Sequence, residues 1–428
     1  MKDTINNINK IKILIVGGGF AGITAAKKLS KEDNLEITLV DKNNYHLFQP
    51  LLYQVAIAGL NPGEIAFPIR RIFANKKNVY VYLDEIKYID FDQRQVCSEK
   101  CQYSYDYLIL ACGSISSYFG HDNWGITAPT LKTLEDSINI RERVLSAFEL
   151  AELAEIEKKD QLAKIKKYLT FVIIGAGPTG VELAGAIAEF AKHTLKGEFR
   201  SIDPSSSEII LLEAGPRILP SFSEDLSIKA QQTLKDLTVK VLVNCKVISI
   251  SDGVIETNQE RFESYTILWA AGVGANPINS TIKQPLDRQG AIQVERDLSL
   301  KAFANVFVIG DQASLTDSHG IKLPGVASVA LQQGRHVADN IKRLIQKKST
   351  IPFNYLDKGQ MATIGRNKAI AQIGQLHLWG FFAWLIWLFV HIYFLIGFKN
   401  RIFVFFQWAW SYATYARAVR FILSSSKE

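Results

Sequence analysis

The chain contains short apolar runs, each followed directly by a cluster of glycines. Residues 12–16 form one such run before a glycine-rich loop at 17–22, and apolar positions at helical spacing continue over residues 23–29. This pattern predicts a strand, a tight turn and a helix. A second strand is predicted over residues 36–40 and ends at Asp41. Together these segments predict one βαβ dinucleotide-binding unit with its terminal acid.

The same pattern recurs in the middle of the chain. Residues 171–174 lead into a glycine-rich loop at 175–180, a helix is predicted from Val181, and a strand over 208–212 ends at Glu213. A polar stretch, residues 193–207, interrupts this unit and is predicted to be a surface insertion. The two units predict an α/β protein with two Rossmann-like dinucleotide-binding domains.

Glycine-rich loops of this type let the backbone approach a pyrophosphate, which lies at the positive end of the helix dipole. A carboxylate at the end of the next strand accepts hydrogen bonds from a ribose 2′-hydroxyl and repels a 2′-phosphate. Glu213 therefore favours NADH over NADPH, although the nearby Arg217 leaves room for the phosphorylated form. Two dinucleotides on one chain suggest a flavoprotein that accepts a hydride from a nicotinamide.

Two other segments complete the main body of the chain. A charge-rich span over residues 131–167 is predicted to be helical, and a buried strand over 306–309 stops at Gly310 and Asp311. The four cysteines form no CxxC pair and no zinc spacing, so we expect neither a disulfide scaffold nor a metal site. The polar first ten residues lack the apolar core of an export signal, so the catalytic body is expected in the cytoplasm.

Apolar and aromatic residues crowd the C-terminus. Residues 376–398 hold no Asp, Glu, Lys or Arg, and a segment of this length is long enough to span a bilayer. A second apolar stretch covers residues 402–423, where Trp408 and Trp410 suit the headgroup boundary. Two topologies are open: one true span, or two helices that lie in the membrane interface.

The net charge supports a membrane surface rather than a nucleic acid. The chain carries a formal charge of +7, from 49 Lys and Arg against 42 Asp and Glu. No acidic residue lies between Asp357 and Glu428, so the basic excess is confined to the most apolar part of the chain. This placement favours anionic lipid as a partner, and we expect no nucleic-acid partner.

Five strings of the chain resemble the two-dinucleotide-binding-domain flavoproteins: GGGFAG, YDYLILACGS, GAGPTGVELAG, LWAAGV and VFVIGD, over the region up to about residue 340. In that superfamily the first loop holds FAD and the second holds NAD(P)H. The resemblance assigns to FAD the residues Gly17, Gly19, Phe20, Ala21, Gly22, Asp41, Ala111, Gly113, Gly310 and Asp311. It assigns to NADH the residues Gly175, Gly177, Pro178, Thr179, Gly180, Glu182, Glu213, Ala271 and Gly272.

The string FQPLLYQVA at residues 48–56, with residues 327–334, looks like the type II NADH dehydrogenases, and the match spans nearly the whole chain. In that family these segments border the flavin and the quinone, which implies a quinone site at Gln49, Gln332 and Gln333. Ser328 stands where the family usually has a first Gln, and this departure removes one expected hydrogen bond to a quinone carbonyl. On pattern alone, the two later glutamines also fit the polar face of an amphipathic helix.

The family also has a carboxylate at the position of Glu182, close to the nicotinamide and quinone regions. Such a carboxylate could relay a proton to the reduced quinone. The alternative is an acid in the first turn of its helix, where the helix dipole favours a negative charge. Both interpretations are open from the sequence.

The resemblance implies four regions. They are the first part of an FAD-binding domain over residues 1–130, an NADH-binding domain with a helical lead-in over 131–300, the second part of the FAD domain over 301–357, and a C-terminal membrane-anchoring region over 358–428.

We therefore expect a flavoprotein on the cytoplasmic side of a bacterial inner membrane. It would pass a hydride from NADH to FAD and two electrons to a quinone, ubiquinone being the one expected. Proton pumping is not expected, because the apolar segment lacks a carboxylate for a proton path. A homodimer is left open.

The cysteines argue against two related activities. Residues 46–55 hold no redox-active pair of the kind that disulfide reductases need, and no cysteine follows Cys245, as sulfide:quinone reductases require. Two alternatives remain: a flavin reductase for a soluble acceptor such as ferredoxin, and a flavoprotein like apoptosis-inducing factor that binds NADH in order to signal.

Overall fold

The computed structural model describes residues 10–157, 161–317, 320–414 and 419–422. The helices of this described part are α1 (Phe20–Leu29), α2 (Leu52–Ala56), α3 (Pro62–Ile65), α4 (Ile69–Ile72), α5 (Leu134–Ile156), α6 (Leu162–Tyr168), α7 (Pro178–Glu189), α8 (Glu224–Asp236), α9 (Ala327–Ile345), α10 (Gly380–Phe394) and α11 (Phe398–Thr414).

The strands of the described residues are mostly short. They are β1 (Ile11–Val16), β2 (Leu35–Asp41), β3 (Tyr45–Leu47), β4 (Ala66–Pro68), β5 (Val79–Leu83), β6 (Ile86–Asp90), β7 (Gln95–Ser98), β8 (Gln102–Ser104), β9 (Tyr107–Leu110), β10 (Ser114–Ser116), β11 (Thr170–Ile174), β12 (Glu208–Leu212), β13 (Val239–Leu242), β14 (Val247–Ser251), β15 (Val254–Thr257), β16 (Arg261–Glu263), β17 (Thr266–Trp269), β18 (Val273–Ala275), β19 (Ile292–Gln293), β20 (Ser299–Leu300), β21 (Phe303–Val308), β22 (Ala313–Ser314), β23 (Gln360–Thr363), β24 (Ala369–Ile373) and β25 (Leu376–Trp379).

The first compact unit contains the described residues of 1–47, 67–115 and 273–357. Its six-stranded sheet has the order β20-β21-β9-β1-β2-β5 and is parallel except where β20 meets β21. Strand β1 lies in the middle and is buried on both faces, which explains its unbroken apolar run. Ile13 and Ile15 pack into the core on one face with α1 and α9, and Leu14 and Val16 pack into the core on the other.

The second compact unit contains the described residues of 48–66, 116–272 and 358–428. Its main sheet is parallel, with the order β13-β12-β11-β17. Two antiparallel sheets of three strands accompany it, β14-β15-β16 and β23-β24-β25. The predicted domain boundaries at residues 130, 300 and 357 stay predictions.

The helices and strands predicted around both glycine loops are confirmed, with small shifts at their ends. Helix α7 begins at Pro178 rather than at Val181. Proline is well tolerated at the first helical position because its missing N–H needs no partner there. The predicted insertion at 193–207 is largely exposed, although Pro204 and Ser207 are buried.

The C-terminal apolar stretch is divided in a way that its composition did not predict. Residues 376–379 belong to strand β25, so helix α10 is only 15 residues long, and the 17-residue α11 follows. Among the described residues, no helix has the length and apolar character needed to cross a membrane. Trp408, predicted to lie at the headgroup boundary, is instead only 5% exposed.

Candidate active site

The first glycine loop, at the carboxyl end of β1, forms a cradle that only glycine allows. Gly17 has a φ of +108°, and a Cβ atom there would lie 2.2 Å from the carbonyl oxygen of Ala111. A Cβ on Gly22 would lie 1.9 Å from the carbonyl oxygen of Gly17. Gly19 begins helix α1, and a Cβ there would meet open space. The loop therefore leaves room above the amino end of α1 for a group such as a pyrophosphate.

Asp41 ties the end of β2 to this loop. Its carboxylate accepts hydrogen bonds from the N–H of Gly18 and, at 2.7 Å, from the N–H of Asn43. Burial raises the pKa of Asp41, while the two N–H groups act in the opposite direction. Because a carboxylate has about four lone-pair sites, two remain for ribose hydroxyl groups.

His46 also holds the first loop, a role that the sequence analysis did not predict. Its Nδ1 lies 3.0 Å from the carbonyl oxygen of Gly18, and its ring packs edge-on against Phe20. The side chain is only 2% exposed, and desolvation lowers the pKa of His46 to about 4. The imidazole is therefore neutral at physiological pH and donates its Nδ1–H to Gly18.

The later Gly-Asp motif lies at the end of β21, two strands from β1 in the same sheet. Asp311 accepts a hydrogen bond of 2.7 Å from the Ser114 hydroxyl. Gln312 accepts a hydrogen bond from the N–H of Cys112 at 2.8 Å and is fully buried. Ser114 and Gln312 were not predicted, because nearly 200 residues separate each from its partner.

The structure brings several of the predicted flavin residues to one edge of the first unit. Parallel strands β1, β9 and β21 all end there, and the residues that follow them are Gly17, Gly19, Ala111, Gly113, Gly310 and Asp311. Phe20, Ala21 and Gly22 open α1. Ligands bind outside the carboxyl ends of the strands in open α/β sheets.

The predicted quinone glutamines make internal contacts. Gln333 is 2% exposed, and its Oε1 accepts a hydrogen bond of 2.6 Å from the N–H of Gly310. The amide of Gln332 binds the backbone of Leu356, at 2.9 Å to its oxygen and 3.0 Å to its nitrogen. Gln49 lies in the other unit and donates to the carbonyl oxygen of Lys132 at 3.3 Å. Their role toward a quinone stays a prediction.

The second glycine loop repeats the geometry of the first. Gly175 has a φ of +100°, and a Cβ there would lie 2.8 Å from Ala271. A Cβ on Gly180 would lie 1.8 Å from the carbonyl oxygen of Gly175, whereas Gly177 at the start of α7 faces open space. Pro178 and Thr179 form the first helical positions, and Ala271 and Gly272 follow the neighbouring strand β17.

Glu213 closes this second cradle as Asp41 closes the first. Its Oε2 accepts a hydrogen bond of 2.8 Å from the N–H of Ala176, and its Oε1 accepts one of 2.7 Å from the N–H of Gly215. The guanidinium of Arg217 donates to the carbonyl oxygens of Pro220 and Phe222, at 2.8 and 2.7 Å. The guanidinium of Arg217 is thus held in place by two backbone carbonyl oxygens.

Glu182 occupies the fifth position of α7, which begins at Pro178. The interpretation as a first-turn acid is therefore wrong, because the effect of the helix dipole falls off within the first turn. Glu182 is partly exposed, yet protein atoms surround its carboxyl closely enough that desolvation raises its pKa to about 8. The N–H of Thr363 donates to its Oε1 at a distance of 3.4 Å. A carboxyl group with this pKa exchanges protons near neutral pH.

The cysteines are free thiols. Burial raises the pKa of the Cys112 thiol to about 12, so it is not a nucleophile at neutral pH. Over the ranges that the structure describes, no cluster of His, Cys, Asp or Glu side chains has the makings of a metal site.

Two dinucleotide cradles with terminal acids define an oxidoreductase of the two-dinucleotide-binding class. A family model for pyridine nucleotide-disulphide oxidoreductases matches residues 11–334, and one for the NDH2 C-terminal domain matches residues 358–414. A type II NADH:quinone oxidoreductase of Mycobacterium tuberculosis is 41% identical, over 96% of this chain and 89% of its own. One from Staphylococcus epidermidis is 31% identical, over 84% of this chain and 89% of its own.

The chain belongs to the type II NADH:quinone oxidoreductase family. Solved structures share its fold at lower identity. The structure of Plasmodium falciparum NDH2 in complex with NADH has a TM-score of 0.84 at 20% identity and covers 96% of this chain and 99% of its own. A sulfide:quinone oxidoreductase from Aquifex aeolicus has a TM-score of 0.72 at 16% identity, covering 91% of each chain.

Proposed function

We propose that this protein oxidises NADH, with FAD in the first unit as its resident flavin, and reduces a membrane quinone. The observation that carries the proposal is the pair of matched cradles, in which each acid holds its own glycine loop and keeps lone pairs for a ribose. When bound, FAD accepts a hydride from NADH and returns two electrons to the quinone.

The first unit suits a dinucleotide that stays bound. Open space above Gly19 accommodates a pyrophosphate, and Asp41 can accept from the adenosine ribose. Asp311 and Gly113, which follow β21 and β9 at the same sheet edge, are the residues that we propose contact the remainder of FAD. His46 and Gln312 hold the backbone of this edge in place from within the core.

The second unit selects NADH. Glu213 would repel a 2′-phosphate, and we infer that Arg217 offsets little of this repulsion because two backbone carbonyl oxygens hold its guanidinium in place. The structure therefore strengthens the preference that the sequence indicated.

Glu182 is the proton donor that we propose for the quinone. A quinone takes up two electrons and two protons to become a quinol, and one of these protons enters with NADH oxidation while the other comes from water. With a pKa of about 8, the carboxyl of Glu182 is mostly protonated at neutral pH and regains its proton from water after each turnover.

Thiol chemistry is not part of this proposal, although the matched family model carries a disulphide oxidoreductase description. Cys112 lies nearest the flavin cradle, but its buried thiol with a pKa of about 12 is unreactive.

Helices α10 and α11 form the proposed membrane surface. We define the aromatic face as Phe382, Phe389, Tyr393, Phe403 and Phe406, which are 73%, 64%, 69%, 56% and 65% exposed. Exposed aromatic patches of this kind mark interaction surfaces, and the surrounding segment carries basic but no acidic side chains. The aromatic face is thus suited to the interface of an anionic bilayer on the cytoplasmic side, from which ubiquinone would enter. Nothing in this surface provides a carboxylate for proton pumping.

The membrane proposal is best tested on the surface itself. A truncation at about residue 370 would cut strand β24 and delete Trp387, whose side chain is only 2% exposed, so it would uncover the residues that Trp387 packs against and disturb the fold. Replacing Phe382 and Phe406 together with Ser should lower binding to phosphatidylglycerol vesicles about tenfold, because two large apolar side chains leave the interface. Leu162→Ser is the matched control, since Leu162 is 77% exposed outside the aromatic face. Unchanged vesicle binding of the double variant would remove this surface from the proposal.

Anaerobic stopped-flow absorbance tests the reaction as a whole. Mixing the purified flavoprotein with NADH should bleach the flavin band, and mixing next with a short-chain ubiquinone should restore it within the turnover time. Bleaching without return would point to a soluble acceptor or to a signalling role.

A further inference from the structure

A chain of hydrogen bonds in the second unit joins helix α11 to Glu182. The Trp408 indole donates to Gln54 Oε1 at 2.7 Å, and Gln54 Nε2 donates to the Tyr53 hydroxyl at 3.0 Å. The Tyr53 hydroxyl lies 3.0 Å from Thr363 Oγ1. The N–H of Thr363 then donates to Glu182 at 3.4 Å. Every link lies between residues of the same compact unit.

The donor is fixed at three of the four hydrogen bonds in this chain, and between the Tyr53 and Thr363 hydroxyls either oxygen can donate. The indole of Trp408 can only donate, which fixes the oxygen of the Gln54 amide toward it and the nitrogen toward Tyr53. The Tyr53 oxygen accepts from Gln54, so its own proton is available to Thr363. The arrangement fixes the orientation of the Gln54 amide and ties the Thr363 side chain, at the end of strand β23, to α2.

Hydrogen bonds, rather than close packing alone, hold these side chains. A cavity of about 80 Å³ adjoins them, lined among others by Tyr53, Gln54, Thr363 and Trp408. Close packing on this side is incomplete, so each side chain depends on its polar partner for its position. Loss of one hydrogen bond would therefore change the positions of the other side chains in this hydrogen-bond network.

The C-terminal helices hold the same segment at further points. Gln407 and Asn400 of α11 donate to the carbonyl oxygens of Gly59 and Glu64, both at 3.1 Å. On α10, the His391 ring stacks on Trp387 and meets Phe48 edge-on. The segment from Phe48 to Glu64 is thus attached to both helices that carry the aromatic face.

Few other groups act on the Glu182 carboxyl. Apart from desolvation, the Thr363 N–H is the contact that changes its pKa, and it lowers it. Titratable groups near α7 include Tyr53 on α2, Glu189 on α7 itself and Arg366 after β23, whose N–H binds Glu189. Other elements packed against α7 also carry titratable groups: Glu224, Asp225, Lys229, Lys235 and Asp236 on α8, Glu208 on β12, Lys240 on β13, and Lys192 and His193 in the segment that follows α7. None of these groups is among the causes that shift the pKa of Glu182.

We propose that Tyr53 and Gln54 are positioning residues that couple the position of helix α11 to Glu182. Quinone reduction would then depend on the position of the membrane-facing helices. The proposal rests on the function proposed above. The two residues would link the helices of the aromatic face to the proton donor through hydrogen bonds, without contacting the substrate.

The test compares Tyr53→Phe, Trp408→Phe and their double variant as purified, flavin-loaded proteins. Tyr53→Phe removes only a hydroxyl group, so the quinone-dependent kcat should fall about fivefold, as expected for one lost hydrogen bond. Reduction of ferricyanide by NADH, which needs no proton donor, should stay within about twofold. Since the Thr363 N–H stabilises the carboxylate, the alkaline limb of the quinone-reduction pH profile should move up by about half a pH unit.

The control and the double variant separate positioning from general damage. Tyr80→Phe removes the hydroxyl of an exposed tyrosine in the other unit and should change nothing. If the hydrogen bonds act as one chain, the Tyr53→Phe/Trp408→Phe protein should resemble Tyr53→Phe, because effects within one network do not add. Additive losses, an unmoved pH limb or an equal loss of ferricyanide reduction would each overturn the proposal.

A second readout distinguishes this inference from the proposed function. Infrared difference titration, with Glu182→Gln as the reference, follows the Glu182 carboxyl directly. If wild-type protein fails to reduce a short-chain ubiquinone, the proposed function fails. The Tyr53→Phe shift of the carboxyl titration still decides whether the hydrogen-bond chain acts on Glu182: an upward shift supports the connection, and an identical titration removes it.

Discussion

The two glycine loops perform the same task with different chemistry. In the first loop, the carbonyl oxygen of Gly18 accepts a hydrogen bond from the buried imidazole of His46. In the second, the equivalent carbonyl of Ala176 accepts from the main-chain N–H of Leu219 at 2.8 Å. The hydrogen bond to the first loop therefore depends on a side chain that can titrate, whereas the hydrogen bond to the second loop comes from the backbone.

The helices that follow the loops differ in a way that matters for function. Seven residues after Gly17, Thr24 turns its hydroxyl back to the carbonyl oxygen of Phe20 in its own helix. Seven residues after Gly175, Glu182 meets the N–H of Thr363 on another element. The helix after the first loop therefore uses this position for a hydrogen bond within itself, whereas the helix after the second carries there a group that can exchange protons.

The largest effect is expected from a Cβ atom in either loop. Gly17→Ala would place its Cβ 2.2 Å from Ala111, and Gly175→Ala would place one 2.8 Å from Ala271, both at positive φ. Gly17→Ala should yield protein without flavin, as judged by absorbance near about 450 nm. Gly175→Ala should keep its flavin and raise the KM for NADH about a hundredfold. Loss of flavin from both variants would contradict the assignment of flavin to the first loop and of NADH to the second.

His46 makes the stability of the first unit depend on pH. Its pKa is lowered from 6.5 to about 4 in the folded state, so the unfolded state binds the proton first as the pH falls. The stabilisation is complete above the unfolded pKa and is lost on the way down to about pH 4, a change of about 3 kcal/mol.

Comparison with His46→Gln isolates this contribution. Between pH 7 and pH 5 the wild-type protein should lose about 2 kcal/mol more than the variant, measured from urea midpoints of flavin release. His391 also has a pKa lowered to about 4, but it is present in both proteins and cancels. Parallel pH dependences would show that His46 does not titrate as a buried group.

Glu213→Gln should narrow the preference for NADH over NADPH by about thirtyfold, because it removes the charge that repels the 2′-phosphate. The ratio of the two kcat/KM values is the measurement. Arg217→Ala is the matched control, since Arg217 binds carbonyl oxygens and should leave the ratio nearly constant. If the ratio of the kcat/KM values changed only in Arg217→Ala, Arg217 rather than Glu213 would be the residue that selects between NADH and NADPH.

Glu182→Gln has the smallest expected effect. Quinone-dependent kcat should fall about tenfold at pH 7, and the loss of activity above about pH 8 should disappear, because the protonated carboxyl is the donor. Flavin content and ferricyanide reduction should stay constant. A variant that keeps the alkaline limb would show that another group donates the proton.

Much of the fold could be predicted from the sequence because its signals are local. A buried parallel strand, a glycine turn and a helix lie within about 20 residues, and the last glycine of each loop, Gly22 or Gly180, is required by the carbonyl oxygen of the first glycine of the same loop. For the same reason the two terminal acids could be named in advance. The predicted Glu182 was correctly placed on α7, but its two interpretations could be separated only once the helix was known to begin at Pro178.

Other parts could not be predicted. The C-terminal apolar stretch has one composition throughout, yet pairing with β24 draws residues 376–379 into a strand. Trp408 has exposed aromatic neighbours in the sequence, but its own side chain is buried, where it donates to Gln54 on α2 and packs against Trp387. Hydropathy reports how apolar a segment is and not which partner it meets.

The sequence alone determined that two dinucleotide cradles exist, which acids close them and that an aromatic, basic segment ends the chain, because each of these follows from neighbouring residues. Tertiary structure decided that His46 and Gln312 hold the sheet edge proposed for the flavin, and that Gln333 binds Gly310. It also decided that a chain of hydrogen bonds connects Trp408 to Glu182 through Gln54, Tyr53 and Thr363. Partners up to 354 residues apart carry no mutual signal in one sequence, since only folding lets their hydrogen bonds form.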